Sequence, residues 1–347
     1  MSLTVPLACT EDEPDRSAES VSSERDATAP RTFRYVAPSG RDDWPGTKHR
    51  PWRTLARAIE AVYRGQTLYV RGGVYREHLD RLQLHRGTSS RPIVVRSYPG
   101  ERPVLRGSIA LNRPMYWRVS GINVTADPST PQDRAGSLVK VAGGLGWSWT
   151  NSEIWGSLGA TNVLVVGKQR VEPSNWSLSY NCIHDVATTA RVTRTSNVTL
   201  AGMGEAGPGL VSRNLIFGDR AELQVAIGAV EGGGPTDVRL TNNTIYGGQV
   251  PVTIAGDTSS VRLQRNLIGG GTADVVVRWS PSSGAADNEV SQNLGTDALT
   301  FLRPLADESI GGPGNIIADS LSFDEQSCDG FKTTESVALP YGRYGVG

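Results

Sequence analysis

A five-residue phrase returns along this chain: Asn, any residue, Ile, then an aromatic residue or Gly, then Gly. It reads NLIFG from Asn214, NTIYG from Asn243 and NLIGG from Asn266, with looser copies NCIHD from Asn181 and SEIWG from Ser152. Successive positions are 29, 33, 29 and 23 residues apart. An alternating apolar run precedes each copy. Repeats of this length built from short strands describe a solenoid, in which each coil buries its apolar face only against its neighbours.

With the Asn as position zero, the coils align into columns. Two residues after it stand Val124, Ile154, Ile183, Ile216, Ile245 and Ile268. Three before it stand Val119, Trp149, Leu178, Val211, Leu240, Leu263 and Val290. Five before it stand Trp117, Trp147, Trp176, Gly209, Val238 and Val261. Alternation along a strand puts these positions on one face, and stacking puts each column inside the coil. The three tryptophans therefore read as an interior stack rather than as sugar-binding rings. The repeated Asn reads as a turn residue that tolerates left-handed backbone angles and bonds the Asn of the next coil.

Charge sums to zero over the 347 residues but is unevenly spread. Residues 10–30 carry seven acids and two bases, and residues 31–106 carry sixteen bases and six acids. The basic segment is either a solvated Arg-rich surface or an attractor for an anionic polymer. No run approaches the ~18 apolar residues of a membrane span. No Gly-rich phosphate loop links a strand to a helix, and no nucleic-acid partner is expected.

Three cysteines, an odd and sparse set, argue against a disulfide framework; Cys182 and Cys328 read as inert thiols. Residues 1–31 read as a disordered tail. Within it, Val5-Pro6-Leu7-Ala8-Cys9 resembles the cleavage end of a bacterial lipoprotein signal, which would make Cys9 the lipidated residue and the acidic stretch a tether. A plain tail is the alternative.

Residues 32–106 read as an N-terminal cap and first coil, residues 107–323 as the coils and residues 324–347 as a C-terminal cap. The cap holds a short helix over TLARAIEAV, N-capped by Thr54 and stopped by Gly65, with Leu55, Ala58, Ile59 and Val62 on one face. It would cover the open apolar end of the solenoid. Around it lie Val36, Pro38, Gly40, Pro45-Gly46-Thr47, Pro51, Trp52, Thr54, Gly65, Thr67, Val70, Gly73 and Tyr75. This pattern resembles the N-terminal part of bacterial right-handed parallel β-helix proteins of the pectate-lyase-like superfamily. Ser336, Ala338 and Gly342 resemble the closing segment of such proteins. The resemblance implies an all-β fold, a right-handed parallel β-helix with a capping helix.

It also implies that substrate lies over the strands that follow the Asn turn by about ten residues, SLVKVA, NVLVVGK, ARVTR, LQVAIGA, PVTIAGD and DVVVRW. The chemistry to expect there is β-elimination on an acidic, uronate-containing polysaccharide. A base removes the proton alpha to the carboxylate, while a cation neutralises that carboxylate. Lys140, Arg191 and Arg278 are the candidate bases; Lys168, Arg194, Gln224 and Glu231 are candidate substrate contacts. Glu222, Asp257 and Asp274 are candidate ligands for Ca²⁺. The clustered Asp residues of calcium-dependent polysaccharide lyases, the paired Asp of β-helix polygalacturonases and the Arg-x-His of alginate and chondroitin lyases are not matched. A glycoside hydrolase would need facing carboxylates, for which Glu222 with Asp257 or Asp274 is the pair. The alternative from another class is a non-catalytic carbohydrate-binding or structural protein of the cell surface. Either reading expects a secreted or surface-tethered protein.

Overall fold

The computed structural model describes residues 32–129, 136–167, 173–186, 195–202, 207–228, 234–255, 258–271, 275–278, 289–295, 302–304, 315–317, 323, 326–330, 332 and 341–344. Thr32–Gly347 forms one compact unit. Among the described residues every strand pairing is parallel, and strands of successive coils pair in register to build three stacks. The first stack begins with Thr32–Val36, Gln66–Val70, Ile93–Ser97 and Trp117–Ser120 and runs to Glu289–Ser291. The second begins with Gly73–Leu79 and includes Asn123–Thr125, Glu153–Trp155, Cys182–His184, Leu215–Phe217, Thr244–Tyr246 and Leu267–Gly269. The third includes Ser137–Ala142, Thr161–Val166, Ser196–Ala201, Leu223–Ile227, Val250–Ala255 and Val275–Arg278. One long strand, Pro103–Asn112, runs through the second stack and on into the third. The result is a parallel β-helix with one strand of each stack per coil.

The apolar columns are its interior. Val124, Ile154, Ile183, Ile216, Ile245 and Ile268 are fully buried, and Val119 through Val290 and Trp117 through Val261 are buried with them. Removing such columns from water, at about 25 cal/mol per Å², is the main force holding coil to coil. Trp147 stacks on Trp176 with ring centres 5.2 Å apart and planes 15° apart. Trp117 donates its indole N–H to the His85 carbonyl at 2.8 Å.

The Asn ladder is also present, running through Asn181, Asn214, Asn243, Asn266, Asn293 and Asn315. Each of the first five donates from Nδ2 to the Oδ1 of the next at 2.9–3.2 Å. Each also donates to a carbonyl of the coil before, as Asn214 does to Leu178 at 2.8 Å. The left-handed backbone falls one residue earlier than expected. Asn151, Tyr180, Arg213, Asn242, Arg265 and Gln292 have φ between 53° and 59°. The strained position is thus exposed to many side chains, while the Asn beside it satisfies buried amides of the turn.

The helix spans Leu55–Ala61 and buries Leu55, Ala58 and Ile59 over the first coil. Thr54 caps it, accepting from Arg57 N–H, and is itself held by Asp42 at 2.8 Å. Glu77 accepts the free N–H groups of Leu55 and Ala56 at 2.7 and 2.9 Å, which satisfies donors that every helix start leaves over. The chain leaves the helix at Val62, already extended, before it reaches Gly65.

Two expectations are corrected. Cys182 and Cys328 are not free thiols; they form a disulfide with Cα atoms 5.6 Å apart, closing 146 residues of chain. The described residues of the expected C-terminal cap also do not sit over the end of the solenoid. They lie along the outward face of the second stack. Cys328, together with Phe323 from the end of the expected coil region, packs on Cys182, Leu215, Phe217 and Tyr246, and Tyr341 packs with Leu267 and Leu294. Gly342 N–H donates to the Arg265 carbonyl at 3.0 Å, and Arg343 N–H to Thr244 Oγ1 at 3.1 Å. The reason is chemical: the outward positions of these coils are apolar and need cover. Ser336 and Ala338 lie outside the described residues.

Candidate functional site

The third stack carries the strands expected to bind substrate. Register places Ala110, Lys140, Leu164, Thr199, Ala226, Thr253, Val276 and Arg303 in one column. Its middle is small and recessed: Ala226 is 3% exposed and Thr253 7%. Lys140 is half-buried near one end. Arg278 pairs with Ala255 and so belongs to the neighbouring column, two residues along the strand. It is also five rungs from Lys140. At 4.7–4.9 Å per rung the two strand positions are about 24 Å apart. Lys140 and Arg278 therefore cannot act on one sugar ring. Arg191 lies outside the described residues.

Gln224 is not a substrate contact. It is fully buried, and it ends a second amide ladder on the near edge of the third stack. Asn162 Nδ2 donates to Asn197 Oδ1 and to the His184 carbonyl at 2.6 and 2.7 Å. Asn197 Nδ2 donates to Gln224 Oε1 and to the Phe217 carbonyl, and Gln224 Nε2 to the Gly218 carbonyl at 2.6 Å. These amides close the turns between the second and third stacks. The recurrence of Asn162, Asn197 and Gln224 near the start of successive strands is the signal in the sequence for this ladder.

Of the calcium ligands, Glu222 alone is described. It precedes Leu223 at one edge of the stack, and its N–H donates to Thr195 Oγ1 at 3.1 Å. Asp257 and Asp274, like Lys168, Arg194, Glu231 and Cys9, lie outside the described residues. Glu222 by itself is no calcium site, which takes six or more oxygens. Among the described residues one group could offer three His, Cys or carboxylate ligand atoms within 4.8 Å of one another: Cys182, His184 and Cys328. Its two sulfurs are bonded to each other, so no thiolate is free to ligate.

The richest polar chemistry lies elsewhere, on the outward face of the second stack. There register aligns Arg76, Arg106, Thr125, Trp155, His184, Phe217 and Tyr246. The column is aromatic under the C-terminal segment and charged beyond it. His184 lies flat between Trp155 and Phe217, with centroids at 6.1 and 4.9 Å. Its Nδ1 meets Asp185 at 2.8 Å and its Nε2 meets Glu153 at 3.2 Å. Glu153 also pairs with Arg102. Each ring nitrogen faces a carboxylate, one from its own turn and one from the coil before. His184 thus acts as a clasp between coils. Its hydrogen bond holds the Asp185 carboxyl below the usual range, against the opposing effect of burial.

One rung group nearer the N-terminus, Asp127 accepts from Ser129 N–H and Oγ at 3.1 and 2.6 Å and from Arg76 at 2.8 Å. These bonds, Ser129 foremost, bring its carboxyl down to about 2. Asp127 stands at the end of the described chain before residues 130–135 and was not singled out from sequence.

The model for the Pel9A-like right-handed beta helix region matches residues 34–143. The uncharacterized protein YwoF of Bacillus subtilis is 42% identical over 80 residues, which are 23% of this chain and 17% of that protein. Pectate lyase PEL9 of Emericella nidulans is 37% identical over 73 residues, 21% of this chain and 18% of that one. The matched stretch is thus less than a fifth of either relative. The crystal structure of pectate lyase Pel9A superposes with a TM-score of 0.59 at 14% identity, covering 82% of this chain and 80% of that one. The fold is the pectate-lyase-like right-handed parallel β-helix.

Proposed function

We propose that this protein is carbohydrate-active and that its substrate is an acidic polysaccharide, cleaved by β-elimination over the third stack. The observation that carries the reading is the column of neutral side chains, Leu164, Thr199, Ala226 and Thr253, recessed at Ala226 and Thr253, that follows Lys140 over the next four rungs. A floor of that length and shallowness suits a chain-like ligand better than a compact one. The fold shared with a pectate lyase and the basic N-terminal coils support the same reading.

In the reaction a base takes the proton from C5 of a uronate. The released electron pair forms the C4–C5 double bond, the C4–oxygen bond breaks, and the departing oxygen gains a proton. Lys140 is the described side chain placed to serve as the base. No step is assigned to calcium; Glu222 with Asp257 and Asp274 remains the proposed ligand set. Such polymers are met outside the cell, so the reading places the protein in the medium or at the cell surface. Mass spectrometry of the native N-terminus would show whether Cys9 carries lipid.

The test is incubation with pectate, alginate, chondroitin and hyaluronan, with and without Ca²⁺, while following the ultraviolet absorbance of an unsaturated uronate. Absorbance on one polymer, lost in Lys140→Ala, is the expected result. Binding without absorbance would favour a non-catalytic polysaccharide-binding protein. The 24 Å or so between the Lys140 and Arg278 positions favours that second reading. Neither binding nor absorbance would remove both.

A further inference from the structure

At the corner between the first and second stacks, an open cleft of about 620 Å³ is lined by Pro38, Trp44, Lys48, His49, Arg71 and Glu101 among others. Its one carboxylate is already spent. Arg71 Nε approaches both Glu101 oxygens at 2.9 Å, and Gly72 N–H donates to one of them at 2.6 Å. Lys48 and His49 are exposed, and neither meets a carboxylate among the described residues. The cleft therefore has a surplus of positive charge. Trp44, half-buried, forms part of its wall, with the Arg50 guanidinium 5.8 Å from the ring centre.

The cleft continues onto a strip of aromatic rings. The Arg71 guanidinium lies over Tyr98 at 4.6 Å. Tyr98 meets Tyr69 at 5.6 Å and Tyr35 at 6.3 Å, and Phe33, 49% exposed, leans on Tyr69 at 5.7 Å. These rings are on the outward face of the first stack, where they do nothing for the core. Partly exposed aromatic rings beside the lysine and guanidinium groups of the cleft match a ligand with flat C–H faces and carboxylates at intervals.

We propose that this cleft and its ring strip are a second, non-catalytic binding site for an acidic oligosaccharide, remote from the third stack. The inference rests on the reading that the protein handles acidic polysaccharide. It adds that the chain holds its polymer at two places, which raises affinity without new chemistry.

Affinity electrophoresis in gels containing polygalacturonate, with neutral galactan as the control, tests it. Thermal denaturation of every variant checks that the fold is kept. The double variant Trp44→Ala/Lys48→Ala, and separately Tyr69→Ala, should bind polygalacturonate at least about tenfold more weakly, with the deficit shrinking as salt screens the wild type's advantage. If both variants are retained like the wild type while Lys140→Ala is not, the cleft is no binding site and the polysaccharide reading stands. If the wild type is retarded by none of polygalacturonate, alginate, chondroitin and hyaluronan, the site and the acidic-polymer reading fall together. Equal retardation in galactan would overturn the charge argument for the cleft.

Discussion

The indole of Trp176 fills the space into which a side chain on Gly209 would project. The two residues pair across adjacent rungs, and an added Cβ on Gly209 would lie 2.7 Å from the indole Nε1 and still closer to Cε2 and Cζ2. Trp147 stacks on the other side, so a column of large rings ends at a residue with none. The column follows three tryptophans with a glycine, whose missing side chain leaves room for the last ring.

Gly209→Ala is therefore expected to lower stability by about 1–3 kcal/mol through overpacking alone, because Gly209 has no left-handed backbone to lose. Thermal denaturation of the single variant and of Gly209→Ala/Trp176→Leu checks it. The smaller ring-free partner should recover part of the loss, and an additive double variant would contradict the proposed clash.

The Asn ladder gives a second expectation. Asn214→Ala removes the acceptor for Asn181 N–H and Nδ2 and the donor to the Leu178 carbonyl, all buried. At about 1–3 kcal/mol for each group left unsatisfied, the variant should lose about 3 kcal/mol or more. Asn214→Asp keeps the acceptor but turns a lone pair toward the Leu178 carbonyl and Asn243 Oδ1, so it should be at least as damaging. Urea unfolding midpoints measure both, and a wild-type midpoint for either would refute the ladder's structural weight.

Reduction of the Cys182–Cys328 disulfide, or Cys328→Ser, should free the C-terminal segment while leaving the rungs intact. A disulfide typically contributes about 2–4 kcal/mol, and closing a loop this long lies toward the upper end of the ~0–5 kcal/mol range. The expected signs are dye binding to the uncovered Leu215, Phe217 and Leu267, and early proteolysis near Ser327. An unchanged proteolysis pattern after full reduction would show that packing alone holds the segment.

Acid should act through Asp127 and Asp185, whose carboxyls are held low by Ser129 and Arg76 and by His184. For a carboxyl depressed in the fold, the stabilising contribution is present above its unfolded value and is lost as pH falls through the folded one. For Asp127 that window runs from the ordinary 3.8 down to about 2. Glu77, raised by burial, works in the opposite direction and softens the loss. Melting temperature against pH should show a steeper acid limb for the wild type than for Asp127→Asn. Parallel limbs would remove Asp127 from the account.

The interior was legible because it obeys two periods at once, two residues along a strand and one coil along the chain. Ile154, Ile183 and Ile216 could be placed inside from spacing alone. Tyr180, Arg213 and Arg265 could not be recognised as the left-handed turn residues, since they share no chemistry; the geometry is imposed by the ladder that follows them. Gln224 was misread because an amide at a strand's start looks the same whether it faces water or a turn. The C-terminal segment reads from its resemblance as an end cap, although the signal for its place along the flank is present. Cys182, Leu215, Leu267 and Leu294 all stand one residue after the ladder position, outward on their strands, and an outward apolar column calls for a cover. His184 could be read only once its carboxylate partners, Glu153 and Asp185, were seen on both sides of the ring.

The covering segment also sets an order of events during synthesis. Every rung it shields leaves the ribosome before Phe323 and Cys328 do, so the nascent coils carry a sticky flank until those residues arrive. A message truncated after Asn315 would still specify a stack of coils, but the product would be prone to side-by-side clumping, and a cell would meet that defect as aggregation rather than as misfolding.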